Sequence, residues 1–339
     1  MNRILNLDYL RVLSAFAVMI LHISAQNWYY VPTNSFSWQI FNLFDSSVRW
    51  AVPVFIMISG ALFLNKKKTV KDIYSKYILR LMISFIFWGI IYGIIFNYGK
   101  QTILVGAYHM WFIPMIIGIY ICLPILYKVV ESKDIEQYFL ILGFLFAILV
   151  PQTVNLLNDF SCDFLRKLSS IIQTNYSNLN LHLVLGYTFY FILGHYLMKV
   201  AIKKEFRVII YILGIIGFIA TFSFTSYLSI KNQSPIGTYY NNFSINVFFE
   251  SIAIFIWFKY HSFKKEKYYP LIIKLSKYSF GAYLIHVLII DKLNQIFGLN
   301  TLSFNPIISI LFIGIIVFIL SFLVSWICNS IPRINKYIV

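Results

Sequence analysis

The feature that most restricts this chain is a succession of apolar stretches, most of them about 15–24 residues long, that recurs from one end of its 339 residues to the other. At about 1.5 Å per residue each can cross the hydrocarbon core of a bilayer as a helix. Lipid offers no partner to a backbone N–H or C=O, so a spanning run of this kind satisfies its backbone internally by coiling into an α-helix. The expectation is therefore an all-α, polytopic integral membrane protein with about ten transmembrane helices. The predicted spans are Leu7–Ala25, Val48–Leu64, Tyr77–Phe96, Met110–Val129, Tyr138–Val150, Leu181–Val200, Val208–Ile230, Ile245–Phe258, Leu275–Ile290 and Pro306–Cys328. The fifth and eighth are short. Composition agrees: 60% of residues are hydrophobic and 12% charged, against roughly 45–50% and 25% in soluble domains. The 33 Phe and 25 Tyr suit helix packing in lipid and rings at its interface.

A net charge of +16 invites a nucleic-acid reading, but position argues otherwise. Sorted onto alternate sides of the predicted spans, 22 of the 28 Lys and Arg fall on one side, chiefly in Lys66–Arg80, Lys199–Arg207 and Lys259–Lys277. Arg49, Lys100, Arg166, Lys167, Lys231 and Lys292 fall on the other. The positive-inside rule then places the first side, with both termini, in the cytoplasm, and the charge is a topology signal rather than a nucleic-acid footprint. Cys122, Cys162 and Cys328 stand in separate segments without disulfide or metal-knuckle spacing, so no metal is expected. The first run contains Asp8, Arg11 and His22, and no small-residue cleavage site follows, so it reads as a retained span and not a signal peptide. Residues 1–339 are expected to form one membrane domain with no appended soluble domain. The longer outer segments Gln26–Ser47, Pro151–Asn180 and Lys231–Ser244 are expected to be extracytoplasmic loops, rich in Asn, Ser, Tyr and Trp. Such loops suit contact with a glycan, although plain surface loops have the same composition.

Polar and ionisable residues inside spans are functional candidates, because each needs a partner or a cavity. In LDYLRVLSAFAVMILHIS, Arg11 and His22 are eleven residues apart, about three helical turns and about 16 Å, so both lie on nearly one face. That face can line a path from the cytoplasm to a buried imidazole, or Arg11 can anchor to headgroups while His22 bonds a neighbouring helix. Ser59-Gly60 in the second span permits close helix approach or a local opening of the backbone. The basic run KKKTVKDIYSKYILRL leads into Arg80, whose planar fork suits a phosphate better than the loop lysines do. His109 and Trp111 open the fourth span, with Tyr120 and Pro124 deeper. His286 in LSKYSFGAYLIHVLIID lies at a depth similar to that of His22, so the two imidazoles can share a cavity. Glu250 is the most conspicuous acid inside a span, with pairing to Arg49 and orientation of a histidine as its two readings. His182, His195 and His261 lack a supporting constellation and read as core or surface residues.

These residues, taken in order, resemble membrane-bound acyltransferase family 3, whose ten-span members O-acetylate surface polysaccharides. The likeness rests on Asp8-x-x-Arg11 with His22, Val52-Pro53-Val54-Phe55 leading to Ser59-Gly60, the basic stretch before Arg80, Trp111-Phe112 with Tyr120 and Pro124, and Ser279-Phe280-Gly281-x-Tyr283-Leu284-Ile285-His286. The resemblance implies an acyl-CoA donor, usually acetyl-CoA, bound from the cytoplasm, and a hydroxyl of a cell-envelope or lipid-linked sugar as acceptor, in a bacterial plasma membrane. It implies that Arg11 and His22 are essential. Catalysis is expected from His22 as general base, with His286, Arg11 and Asp8 in support, or through an acyl-histidine. Arg11, Arg80, Lys76, Ser59 and Gly60 are expected to hold the donor, and His109, Trp111, Tyr283 and Glu250 the acceptor. Membrane lipid and glycan synthesis or export machinery are the remaining partners. The chain departs from the family at Tyr77, where an arginine is common and Lys76 is the nearest cation, and it ends after the tenth span without the hydrolase-like domain of some relatives. The competing readings are a transporter or lipid-linked glycan flippase, and a non-catalytic partner in a glycan synthesis complex. The first of these more often shows repeated halves, which are not evident here.

Overall fold

The computed structural model describes residues 4–96, 105–159, 162–263 and 266–339, without the side chains of residues 182–185, 333, 334 and 336. Arg3, Lys100, Lys264 and Lys265 of the charge count, and the side chains of His182, Arg333 and Lys336, lie outside the described residues. Helix α1 is Leu5–Ser24, followed by α2 (Phe36–Ser46) and α3 (Ala51–Phe63). Next come α4 (Val70–Ile95), α5 (Tyr108–Val129) and α6 (Lys133–Asp159), then α7 (Asp163–Asn178), α8 (His182–Lys199) and α9 (Lys204–Lys231). The chain closes with α10 (Ile245–Tyr260), α11 (Tyr269–Phe297), α12 (Pro306–Ser330) and the short α13 (Pro332–Tyr337). Several starts are fixed by N-caps: the side chains of Ser35, Thr69, Ser132 and Asn305 accept bonds from Trp38, Asp72, Ile135 and Ile307 backbone N–H groups. Gly298 ends α11 in the left-handed region at φ 65°, a position suited to glycine.

Among the described residues, nine helical stretches are long and apolar enough to cross a membrane, with α2 and α3 together making one of them, Phe36–Phe63. The sixth predicted span, α8, is not in that set. It carries His195, Tyr187, Tyr190 and Tyr196, and Phe189, Tyr190, Phe191 and Ile192 are shut away from the surface. A helix enclosed by other helices needs no lipid-facing apolar stripe. Its fit against α3 is made by two reciprocal glycines: a Cβ on Gly60 would stand 1.7 Å from the Phe191 carbonyl oxygen, and one on Gly194 would stand 2.0 Å from that of Met57. Small residues at such crossings bring backbones into contact where a larger side chain would part them.

Contacts between distant loops define two ends. At one, Asn6 Nδ2 donates to the carbonyls of Phe258 and His261 at 2.8 and 2.9 Å, Lys67 pairs with Glu131, and Ile202 N–H donates to the Tyr260 hydroxyl at 2.7 Å. At the other, Asn27 donates to Thr301 at 2.8 Å, Thr33 to the Ser229 carbonyl at 3.2 Å, and Ser226 to Gln39 at 2.8 Å. These pairings alternate along the chain as the predicted spans do, and the first end is the basic one.

Two expected loops are largely helical. The segment Gln26–Ser47 contains α2, whose Trp38 and Phe41 are fully buried; Trp38 Nε1 donates to the Trp28 carbonyl at 3.2 Å. Segment Pro151–Asn180 contains the end of α6 and the whole of α7. In α2 the apolar Trp38 and Phe41, one turn apart, bury against the bundle, a pattern that loop-like composition conceals, whereas α7 buries only Ser169 and leaves Phe164, Leu168 and Ile171 exposed. The two short spans lengthen in the same way. The fifth lies inside the 27-residue α6, which includes a π turn at Phe144–Leu149, and the eighth is preceded by a 3₁₀ turn at Thr238–Tyr240.

Candidate active site

Two cavities meet at one side chain. The first, about 370 Å³, runs inward from the basic end between α1, α3, α4, α5 and α11, and is lined by Arg11, Ser59, Arg80, Tyr120, Lys277 and His22 among others. The second, about 550 Å³, lies toward the opposite end and is lined by Gln26, Asn27, Tyr108, Asp291, Asn300 and again His22. Their linings share His22 alone among the described residues. A smaller groove of about 200 Å³ near Gln152 and Phe243 holds none of the predicted site residues.

The helix geometry explains the first of these placements. Arg11 and His22 face the same cavity because eleven residues make about three turns. Asp8, one turn before Arg11, accepts a bond from Ser276 Oγ at 2.6 Å, which pins α1 to α11 and fixes the rotation of both. Helix α11 can approach closely because Ser276, Ser279, Gly281 and Ala282 are small and buried.

His22 is part of a cluster. Its ring centroid lies 5.1 Å from that of His286 and 6.3 Å from that of His109, and His109 and His286 are 5.2 Å apart. His286 is 0% exposed and His109 2%. His286 Nδ1 lies 2.6 Å from the Tyr283 carbonyl; a carbonyl only accepts, so Nδ1 carries the hydrogen. In the neutral ring Nε2 is then a lone-pair acceptor, and it is buried without a hydrogen-bond partner. Tyr283 hydroxyl donates to the His109 carbonyl at 2.5 Å, and Tyr92 hydroxyl to the Leu284 carbonyl at 2.8 Å. The 3₁₀ turn Tyr108–Trp111 that presents His109 follows Gly106, whose φ of +78° few other residues adopt. Although three imidazoles gather here, no group of three potential metal ligands forms a metal site among the described residues.

The other predicted residues divide. Trp111, Tyr283 and Ser59 line the first cavity with Arg11 and Arg80. Gly60 does not, since it faces α8. Lys76 is exposed and pairs with Asp72 at 2.7 Å. Glu250 is 4% exposed and belongs to neither cavity lining; it accepts a hydrogen bond from Thr221 Oγ at 2.6 Å, while Arg49 pairs with Asp45 and lies 3.7 Å over the Tyr240 ring. His195, read as core, is buried and 2.6 Å from Glu136.

Three features escaped the sequence reading. His109, expected among the acceptor residues alone, lines the first cavity and also joins the histidine cluster. Lys277 adds a cation to the first cavity. The segment after α12 folds back onto α4, where Arg80, Ser84 and Trp88, spaced one turn apart, donate to the carbonyls of Val339, Tyr337 and Ile338. No local pattern announces that contact. It holds one N–H of the Arg80 guanidinium and leaves others to face the cavity. Two guanidinium groups, an ammonium and the phenols of Tyr77 and Tyr120 around one cavity suit a phosphate-bearing ligand.

No curated protein and no solved structure matches the chain significantly. The family model described as "Acyltransferase domain" matches residues 4–326, nearly the whole chain and every helix of the site. The protein is a multi-pass membrane acyltransferase and belongs to acyltransferase family 3.

Proposed function

We propose that the protein is an O-acetyltransferase of a bacterial plasma membrane, moving acetyl from cytoplasmic acetyl-CoA to a hydroxyl of a cell-envelope or lipid-linked glycan presented on the other side. One observation carries this reading: His22 lines both cavities, the arginine-rich one from the basic end and the amide-rich one from the opposite end. With the basic end in the cytoplasm, where coenzyme A is made, Arg11, Arg80 and Lys277 meet its phosphates, and the thioester lies toward His22. The sugar hydroxyl gives its proton to the His22 imidazole as its oxygen attacks the thioester carbonyl. The C–S bond then breaks, and the departing thiolate takes the proton back. His286, through its free Nε2, orients or relieves the protonated His22. Trp111 and Tyr283 shape the space where the acetyl group is transferred. Direct transfer across one imidazole needs no carrier on the far side of the membrane.

The test is paired. Acetyl-CoA binding to detergent-purified protein is measured by calorimetry, and acetyl transfer is followed in proteoliposomes. His22→Ala is expected to keep binding and lose transfer by roughly 10²–10⁴-fold, the usual worth of a positioned base. Near-normal transfer would return His22 to a packing role. A wild-type protein that binds no acetyl-CoA would remove the donor from this reading.

A further inference from the structure

The second cavity has a chemical character of its own. Its wall is an amide chain that is already bonded to itself: Asn27 Nδ2 donates to Asn300 Oδ1 at 3.3 Å and to Thr301 Oγ at 2.8 Å, and Asn300 Nδ2 donates to Asn294 Oδ1 at 3.0 Å. Two polar atoms in the lining are left over. Asp291 Oδ2 and Gln26 Oε1 are both shut from solvent without a hydrogen-bond partner. Buried polar groups are nearly always paired, so two orphans in one cavity ask for a ligand. Both orphans are acceptors, and a carboxylate can only accept, so the ligand must bring donors. Hydroxyl groups are the donors of choice here. Lys292, with Nζ 4.0 Å from Asp291 Oδ2, already supplies the nearby cation, and an anionic group would be repelled by the carboxylate. Tyr30 stands at the rim, 81% exposed, with its ring face open to a flat ligand. Asp291 is also placed for the reaction: it lies on α11 five residues beyond His286, and it shares this cavity with His22.

We propose that this cavity is the acceptor subsite, and that Asp291 and Gln26 take hydroxyl hydrogens of an uncharged sugar ring so that a neighbouring hydroxyl is presented to His22. The inference rests on the proposed acetyl transfer. It adds to it the residues that select the acceptor and the class they select, a ring with free hydroxyls next to the one acetylated and no acid group beside them. Asp291 is a positioning residue, since it binds the part of the ring that does not react.

The probe is the surface polysaccharide extracted from cells lacking this protein, titrated into proteoliposomes with radiolabelled acetyl-CoA, with base-labile label on the glycan as readout. Asp291→Asn and Gln26→Leu are compared with wild type after thermal melts show that each is folded. Asp291→Asn is expected to raise the KM for glycan by about 10- to 100-fold, the worth of a hydrogen bond to a charged group, with kcat falling less than KM rises. Gln26→Leu is expected to act in the same direction by a smaller factor. A purely structural role would lower the melting temperature or kcat without a selective rise in KM. Unchanged KM in both folded variants overturns the subsite, as does a wild type that binds acetyl-CoA but transfers nothing to this glycan. Absence of acetyl-CoA binding in the wild type overturns the underlying reading, and with it this one.

Discussion

At the scale of single residues, the imidazoles divide their duties by what each ring nitrogen touches. His286 spends Nδ1–H on the Tyr283 carbonyl and keeps Nε2 free beside His22. The supporting role is therefore that of an acceptor. His286→Gln retains an oxygen that can accept, whereas His286→Leu fills much of the space and removes acceptance altogether. Transfer is expected to fall about 10- to 100-fold in the Leu variant, less than for His22→Ala, and to recover part of that in the Gln variant. Equal loss in both, measured as acetyl ester formed per protein, would show that the ring's shape and not its nitrogen matters. Arg80 illustrates the opposite case, a residue whose cavity role depends on distant backbone. The Val339 carbonyl takes one of its hydrogens and so orients the fork.

At the scale of elements, the α3–α8 crossing decides where the wall of the first cavity stands. Ser59 lines that cavity while the adjacent Gly60 points the other way, into the Phe191 backbone. A methyl at Gly60 would meet a carbonyl oxygen at 1.7 Å, and backbone on both sides gives it no flexible neighbour to displace. Gly60→Ala is expected to destabilise the protein by about 1–3 kcal/mol or more, as overpacking does, and to lower its melting temperature in detergent. Ser59→Ala, which removes only a hydroxyl bonded to the Phe55 carbonyl at 2.9 Å, should leave the melt close to that of wild type. Similar melting shifts in the two would contradict the assignment of Gly60 to packing and Ser59 to the cavity.

For the whole molecule, the two cavities assign opposite tasks to opposite ends, so the orientation in the membrane is itself a prediction. With the basic end cytoplasmic, single cysteines at Asn34, Asn175 and Asn232 should react with an impermeant maleimide added to intact cells, and ones at Lys67 and Lys204 only after lysis. Asn34 lies between α1 and α2, Asn175 in α7, and Asn232 just beyond α9. A reversed pattern would put the arginine-rich cavity on the outside and separate it from coenzyme A.

The division between sequence and structure follows from the range of each physical constraint. Lipid imposes apolarity and length on every span separately, so the all-α class and the alternation of ends were readable from the residues alone. Helical period is equally local, and it put Arg11 and His22 on one face before any packing was known. The approach of His286 to His22 was foreseeable only as a match of depth. What tertiary structure decided is which faces meet. It brought His109 into the histidine cluster, sent Glu250 to Thr221, turned Gly60 toward α8, and set the Tyr337–Val339 segment against α4. It also made α8 an interior helix and built α2 and α7 from segments with the composition of loops. Apart from the Glu250–Thr221 bond and the exposed α7, those outcomes depend on the shapes of surfaces distant in the chain, such as two glycines meeting two carbonyls. No local pattern of residues encodes a contact whose partner lies more than a hundred positions away.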